Sequence, residues 1–157
     1  SIIYRKTASL FEASILSAAY SVKADDRELA ACKGYAYHIG LAFQIMDDIL
    51  DYSPEYASGK PTGQDIREKK ITLPLLGLFE AAPKKIGKEI RERMRNADSE
   101  LAADAIRLVK EYDGCGYALK RLREESEMAL RAISCFKDSE ARDYLERLAG
   151  HMAVRTA

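Results

Sequence analysis

Net charge of either sign is missing from this chain. Its 25 Lys and Arg balance 25 Asp and Glu, so no global field favours nucleic acid or an anionic membrane surface, and any anion site must be local. Cysteine is scarce, and Cys32, Cys115 and Cys135 are odd in number and share no metal-ligand spacing. That argues against a disulfide frame and a thiolate metal centre and points to reduced, buried thiols in a cytoplasmic protein. Long apolar runs are absent too: none approaches the ~20 residues that a membrane-spanning helix needs, and no signal peptide is visible. Nor is there an alternating polar and apolar stretch of the kind that marks a strand. A starting Met is lacking as well, since Ser1 leads directly into "IIYRKTASLFEASIL" without a helix cap, and the expectation is a piece of a longer protein.

What is present is helical spacing almost throughout. The 157 residues make one domain long enough to bury a core, and 47% hydrophobic content with 32% charge suits a helix-rich globule. The spacing predicts a helix over about 2–20 and another from Asp25 or Asp26, with Glu28 three residues after Asp25, to about Tyr52. "SPEYASGKPTGQDIREKK" concentrates Pro, Gly, Ser and charge and reads as one long loop. "ITLP" restarts helix, with Thr72 as the cap and Pro74 in the first turn. Helices follow over about 83–95, 99–112, 114–135 and 139–154, the last capped by Asp138. "YALKRLREESEMALRAISCF" reads as an amphipathic scaffold helix, and Tyr112, Tyr117 and Tyr144 as core or interface residues. His38 and His151, the two histidines, read as structural or exposed rather than catalytic.

One short run does not fit a plain scaffold. "LAFQIMDDILDY" (41–52) sets three aspartates among apolar residues. At about 100° per residue, Asp47, Asp48 and Asp51 fall within roughly 60° of Gln44. Lys33, Tyr37 and Gly40 extend that stripe, while Ile39, Ala42, Phe43, Ile45, Met46, Ile49 and Leu50 fill the rest of the circumference. Three carboxylates within a turn repel one another, and partial burial adds several kcal/mol for each uncompensated charge by order of magnitude. Opposing positive charge is therefore required. Lys or Arg would make the cluster an ion-pair network; a divalent cation would make it a metal site, and all-oxygen ligands favour Mg²⁺.

The following segment supplies cations. "GKPTGQD" places Lys60 between Gly59 and Pro61, and "REKK" adds more just before the next helix, so lysines stand where a metal-bound phosphate would need point charges. The segment lacks the glycine spacing of a P-loop. On the first helix, Lys6 shares its face with the small residues Ser9, Ala13 and Ser17, which leaves room for a ligand or for close helix packing.

"KTASLFEAS", "GLAFQIMDDILDY" and "GKPTGQDIREKKITLPLL", in this order and separation, resemble the C-terminal half of the trans-isoprenyl diphosphate synthases, the polyprenyl synthetase family. "DSEARDYLERLAGHMAVR" is similar to the family's last helix. The resemblance covers essentially the whole chain. It implies an all-α, isoprenoid-synthase-type helical bundle, present here as the C-terminal half (1–157) of a polyprenyl diphosphate synthase domain.

The same resemblance implies a Mg²⁺-dependent prenyltransferase that condenses an allylic diphosphate with isopentenyl diphosphate head to tail, as a homodimer in the complete enzyme. Asp47, Asp48 and Asp51 match the second aspartate-rich motif, which holds Mg²⁺ on the allylic diphosphate. Lys6 and Thr7 match the family's "KT" pair, Gln44 the glutamine before the acids, and Phe43 a residue bordering the substrate cavity. Lys60 and Lys70 match the two loop lysines, and Asp65 stands behind them as a supporting acid. Lys69 departs from the pattern, taking the place where many members have Gly, which leaves open whether Lys69 or Lys70 reaches phosphate. An alternative is a noncatalytic partner or regulatory subunit of a prenyl synthase. The earlier aspartate-rich motif that the resemblance implies for the N-terminal half does not occur in the sequence: Asp25 and Asp26, the other adjacent pair, follow Lys6 too closely. The 157 residues alone are therefore expected to give no elongated product with an allylic diphosphate, isopentenyl diphosphate and Mg²⁺. Turnover at an ordinary enzymatic rate by the purified chain would overturn this.

Overall fold

Helix propensity and capping explain where the elements start. The computed structural model describes residues 7–53 and 62–154, and among them every regular element is a helix. In chain order these are α1 (Ser9–Ser21), α2 (Asp26–Leu50), α3 (Gln64–Arg67), α4 (Leu73–Ala81), α5 (Lys84–Arg95), α6 (Leu101–Glu111), α7 (Gly114–Ile133) and α8 (Glu140–Val154). None is long and apolar enough to cross a membrane.

The expected capping box on α2 is present. The Glu28 N–H donates to Asp25 Oδ1 at 2.8 Å, and the Asp25 N–H donates to Glu28 Oε2 at 3.0 Å. Two other caps differ from expectation. Thr72 occupies the extended position before α4, but its hydroxyl donates to Tyr52 Oη at 3.3 Å instead of capping. At α8 it is Ser139 Oγ that accepts the Arg142 N–H, at 3.2 Å, because Asp138 is drawn to the Arg142 guanidinium at 2.8 Å. The long loop is also interrupted by the short helix α3.

The chain divides into two compact units, 1–44 with 121–157 and 45–120. In the first, small residues set the helix spacing. A Cβ on Gly40 would lie 2.7 Å from the Ala8 Cα, and one on Gly34 would lie 3.2 Å from the Ala132 Cβ. Ala8, Ala36, Ile39, Leu122, Ala129, Ile133 and Ala149 fill this unit's interior. Glu125, 2% exposed, is a buried acid that the amphipathic reading of α7 missed. Its carboxylate lies 2.7 Å from His38 Nδ1 and 2.6 Å from Arg121 Nη2, so His38 has a structural place, as expected.

In the second unit Leu75, Leu78, Ile90, Met94, Leu101, Ala105 and Val109 bring α4, α5 and α6 together. Tyr112 packs against that cluster, whereas Tyr117 and Tyr144 lie at the surface. The thiols depart from expectation: Cys32 and Cys115 are half-buried and Cys135 is exposed. The apolar stripe of α7 ends at Ile133, and Cys135 lies in the turn beyond it.

Tyr35, buried in the first unit, donates its hydroxyl to the Leu145 carbonyl at 2.8 Å, and burial pushes its phenol up to about 12. Above pH ~10 the unfolded chain releases this proton while the folded chain keeps it, so stability falls as pH rises through that window. Tyr35→Phe is expected to cost about 1 kcal/mol at pH 7 through the lost hydrogen bond. That deficit should shrink by about 1.4 kcal/mol per pH unit above pH ~10. Urea unfolding at pH 7 and pH 11 measures both; an equal deficit at the two pH values would contradict the burial argument.

Candidate functional site

The predicted acids occupy the C-terminal turn of α2 and the residue just beyond it. Apolar neighbours fix this turn: Ile45, Met46, Ile49 and Tyr52 are all buried. The polar stripe is not uniformly exposed. Asp47 faces solvent, Asp51 is half-buried, and Asp48 is only 4% exposed.

Asp51 is the acid with the most specific surroundings. Its Oδ1 accepts the Gln64 N–H at 3.0 Å and its Oδ2 accepts the Asp65 N–H at 2.9 Å. Its main-chain carbonyl accepts the Gly63 N–H at 2.8 Å. The expected supporting acid, Asp65, is thereby joined to α2, and Lys70 Nζ donates to Asp65 Oδ1 at 3.1 Å. Lys70 also pairs with Glu68. Those two acids, Glu68 first, hold the Lys70 ammonium well above its ordinary pKa, so it stays charged at any physiological pH.

The two candidate lysines separate cleanly. Lys69 Nζ reaches the Arg95 carbonyl at 3.3 Å, whereas Lys70 turns toward the acids. Lys69 also holds a left-handed backbone, φ +58°, the conformation that glycine takes at no steric cost. Lys69 thus sits in a strained position that glycine would relieve.

Tyr52 was read only as the end of a helix. It is buried among the second unit's apolar residues, and its phenol is pushed well up by burial, with Asp65, Asp51 and Asp48 adding to the effect against the Thr72 hydrogen bond. A tyrosine at the end of an acidic turn was the available signal, but its depth was not legible.

In the first unit, Thr7 and Ala8 wind as a π-type turn into α1. Thr7 Oγ1 donates to Gln44 Oε1 at 2.6 Å, and Gln44 is buried. This joins two residues predicted separately, from segments far apart in sequence. Phe43 is half out of the surface, its ring 5.6 Å from that of Phe11. Lys33, expected on the same stripe, pairs with Glu12 at 3.7 Å. Lys6 and Lys60, both predicted phosphate contacts, lie outside the described residues, as does most of the loop around Lys60.

Among the described residues no three acidic, His or Cys side chains converge into a ready-made metal cage. Mg²⁺ seldom uses such a cage; it takes one or two carboxylates and completes its shell with waters and substrate phosphates. An exposed hard-oxygen donor such as Asp47 fits that mode, and the acids around Lys70 give the region local negative charge.

The polyprenyl synthetase family model matches residues 1–111. The short chain isoprenyl diphosphate synthase of Methanothermobacter thermautotrophicus is 35% identical over 155 residues, which cover 98% of this chain and 48% of that protein. The octaprenyl diphosphate synthase of Haemophilus influenzae is 35% identical over 150 residues, 94% of this chain and 46% of that protein. Among solved structures, the polyprenyl synthase of Caulobacter crescentus, complexed with calcium and isoprenyl diphosphate, superposes with a TM-score of 0.87 at 32% identity. That superposition covers 99% of this chain and 48% of the other. The chain spans about half the length of the relatives it matches.

The strained Lys69 gives a direct check on the loop. A non-glycine residue pays roughly 1–2 kcal/mol in the left-handed region, against about 0.5–1 kcal/mol of extra chain entropy lost by glycine. Lys69→Gly is therefore expected to raise stability by about 0.5–1 kcal/mol. Thermal melting measures it, and a lowered melting temperature would contradict the backbone geometry.

Proposed function

The chain belongs to the polyprenyl synthetase family, and from that premise we propose that residues 1–157 form the C-terminal half of a prenyl diphosphate synthase. The reaction proposed for the complete enzyme joins an allylic diphosphate to isopentenyl diphosphate. The allylic carbon–oxygen bond breaks with its electron pair leaving on diphosphate, the isopentenyl double bond attacks the resulting cation, and loss of a proton completes a trans alkene. The observation that carries this reading is an exposed carboxylate, Asp47, on a rigid buried turn, in a chain that superposes over nearly its whole length on a relative complexed with calcium and isoprenyl diphosphate.

Asp47 is the principal metal ligand in this reading, with Asp48 beside it. Bound Mg²⁺ supplies Lewis-acid stabilisation of the departing diphosphate. Lys6, Lys60 and Lys70 are assigned to neutralise its oxygens as point charges, and the hydrogen bond from Thr7 to Gln44 orders the start of α1. Phe43 offers an apolar ring to the prenyl chain. The free thiols accord with a cytoplasmic enzyme, and its assembly is proposed to be a homodimer.

Inorganic pyrophosphate and geranyl diphosphate, each with Mg²⁺, should raise the melting temperature of the 157-residue chain. Asp47→Asn should weaken the metal-dependent binding at least tenfold, about 1.4 kcal/mol, measured by calorimetric titration. Absence of protection in the unsubstituted chain, or Asn at 47 binding as well as Asp, would sink this assignment.

A further inference from the structure

The third acid of the aspartate-rich turn has a different task from the first. We propose that Asp51 is a positioning residue: it anchors the start of α3 and, through Asp65, the ammonium group of Lys70, and it does not serve as a metal ligand. Its effect on diphosphate binding rests on the reading above, whereas the anchor itself does not.

Three consecutive main-chain N–H groups, those of Gly63, Gln64 and Asp65, converge on this one residue. They use its main-chain carbonyl and both carboxylate oxygens, at 2.8, 3.0 and 2.9 Å. These N–H groups stand at the beginning of a helix only four residues long, where no intrahelical carbonyl can receive them. Each carboxylate oxygen thus has a fixed donor.

The anchored turn is fixed from its other side by shape. Gly63 has φ +77°, and a Cβ there would lie 3.0 Å from the Ala102 Cβ on α6, so neither the backbone nor the space accepts a larger residue easily. From this turn the linkage continues. The Lys70 N–H donates to the Asp65 carbonyl at 2.8 Å, and Lys70 Nζ donates to the Asp65 carboxylate at 3.1 Å. Asp51 therefore holds Asp65 by its backbone, and Asp65 holds Lys70 at both ends.

A metal ligand must be free to adopt the short distances and near-octahedral angles that Mg²⁺ demands. Drawing the Asp51 carboxylate toward a cation would strip two N–H groups of their acceptors. Asp47 stands one turn earlier and is exposed to solvent. The two acids are alike in sequence and different in attachment.

Asn at position 51 keeps the shape but has one acceptor oxygen and turns an NH₂ donor toward the second N–H. Amide hydrogen exchange on the 157-residue chain, without metal or ligand, should show peptides spanning 62–70 exchanging at least tenfold faster in Asp51→Asn and Asp51→Ala. Asp47→Asn should leave them unchanged. If the alanine variant unfolds, the near-isosteric asparagine variant decides the point, with its melting curve as the check on folding. Pyrophosphate binding is then titrated across Mg²⁺ concentrations. Asp51→Asn should weaken it several-fold at every concentration while leaving the half-saturating Mg²⁺ unchanged, whereas Asp47→Asn should raise the Mg²⁺ required. Unchanged exchange in both Asp51 variants, or a shifted Mg²⁺ requirement in Asp51→Asn like that of Asp47→Asn, would overturn the proposal. Failure of the unsubstituted chain to bind pyrophosphate would remove the diphosphate reading alone, because the exchange result judges the anchor independently.

Discussion

A carboxylate cannot be drawn into a protein interior without something to take the place of water, and the end of α2 is built around that requirement. Ile45, Met46, Ile49 and Tyr52 bury most of the turn's circumference. An ion taken fully out of water loses several kcal/mol on the order-of-magnitude scale of buried charges. Each acid meets this differently. Asp47 stands exposed at the surface, while Asp51 exchanges water for two backbone N–H donors. Those donors are themselves orphans at a helix start, so one arrangement satisfies both sides.

Close packing also shapes the first unit. In the first unit, glycine and alanine let backbones approach until a single added methyl would collide, as at Gly40 against Ala8. Close packing of this kind leaves few alternative positions for the part of α2 that lies in this unit. The buried Glu125 follows the same logic as the acids of α2: His38 and Arg121 each contact one of its carboxylate oxygens. Removing Arg121 would take the permanent cation from this buried acid, while the contact from His38 ties α2 to α7 within that unit.

In the second unit a chain of hydrogen bonds runs from this turn to Lys70. Lys70 is held by Asp65 and Glu68, and Asp65 is held in turn by Asp51. A lysine on a flexible stem is a poor point charge until its rotamers are restrained, and ordering it beforehand reduces what a ligand must supply on binding. Lys69, one residue earlier, sits in a left-handed backbone and reaches the Arg95 carbonyl instead. Two adjacent, chemically equivalent side chains thus have different partners.

The amino-acid sequence by itself determined the helical class, the order of the helices apart from the short α3, the capping box at Asp25 and Glu28, and the acidic stripe of α2. Each of these follows from local spacing and from contacts three or four residues apart, which periodicity records directly. It did not reveal that Asp48 is buried, that Glu125 lies inside on a helix that reads as ordinary, that Ser139 rather than Asp138 caps α8, or that Thr72 bonds Tyr52 instead of its helix. Nor could it separate Asp51 from Asp47, since both are aspartates on one face. Those matters were decided by the tertiary structure, because burial and hydrogen-bond partners depend on which distant segments arrive beside a residue. Gly63, Gln64 and Asp65 return to Asp51 only when α3 packs against α6, and no spacing along α2 contains that information.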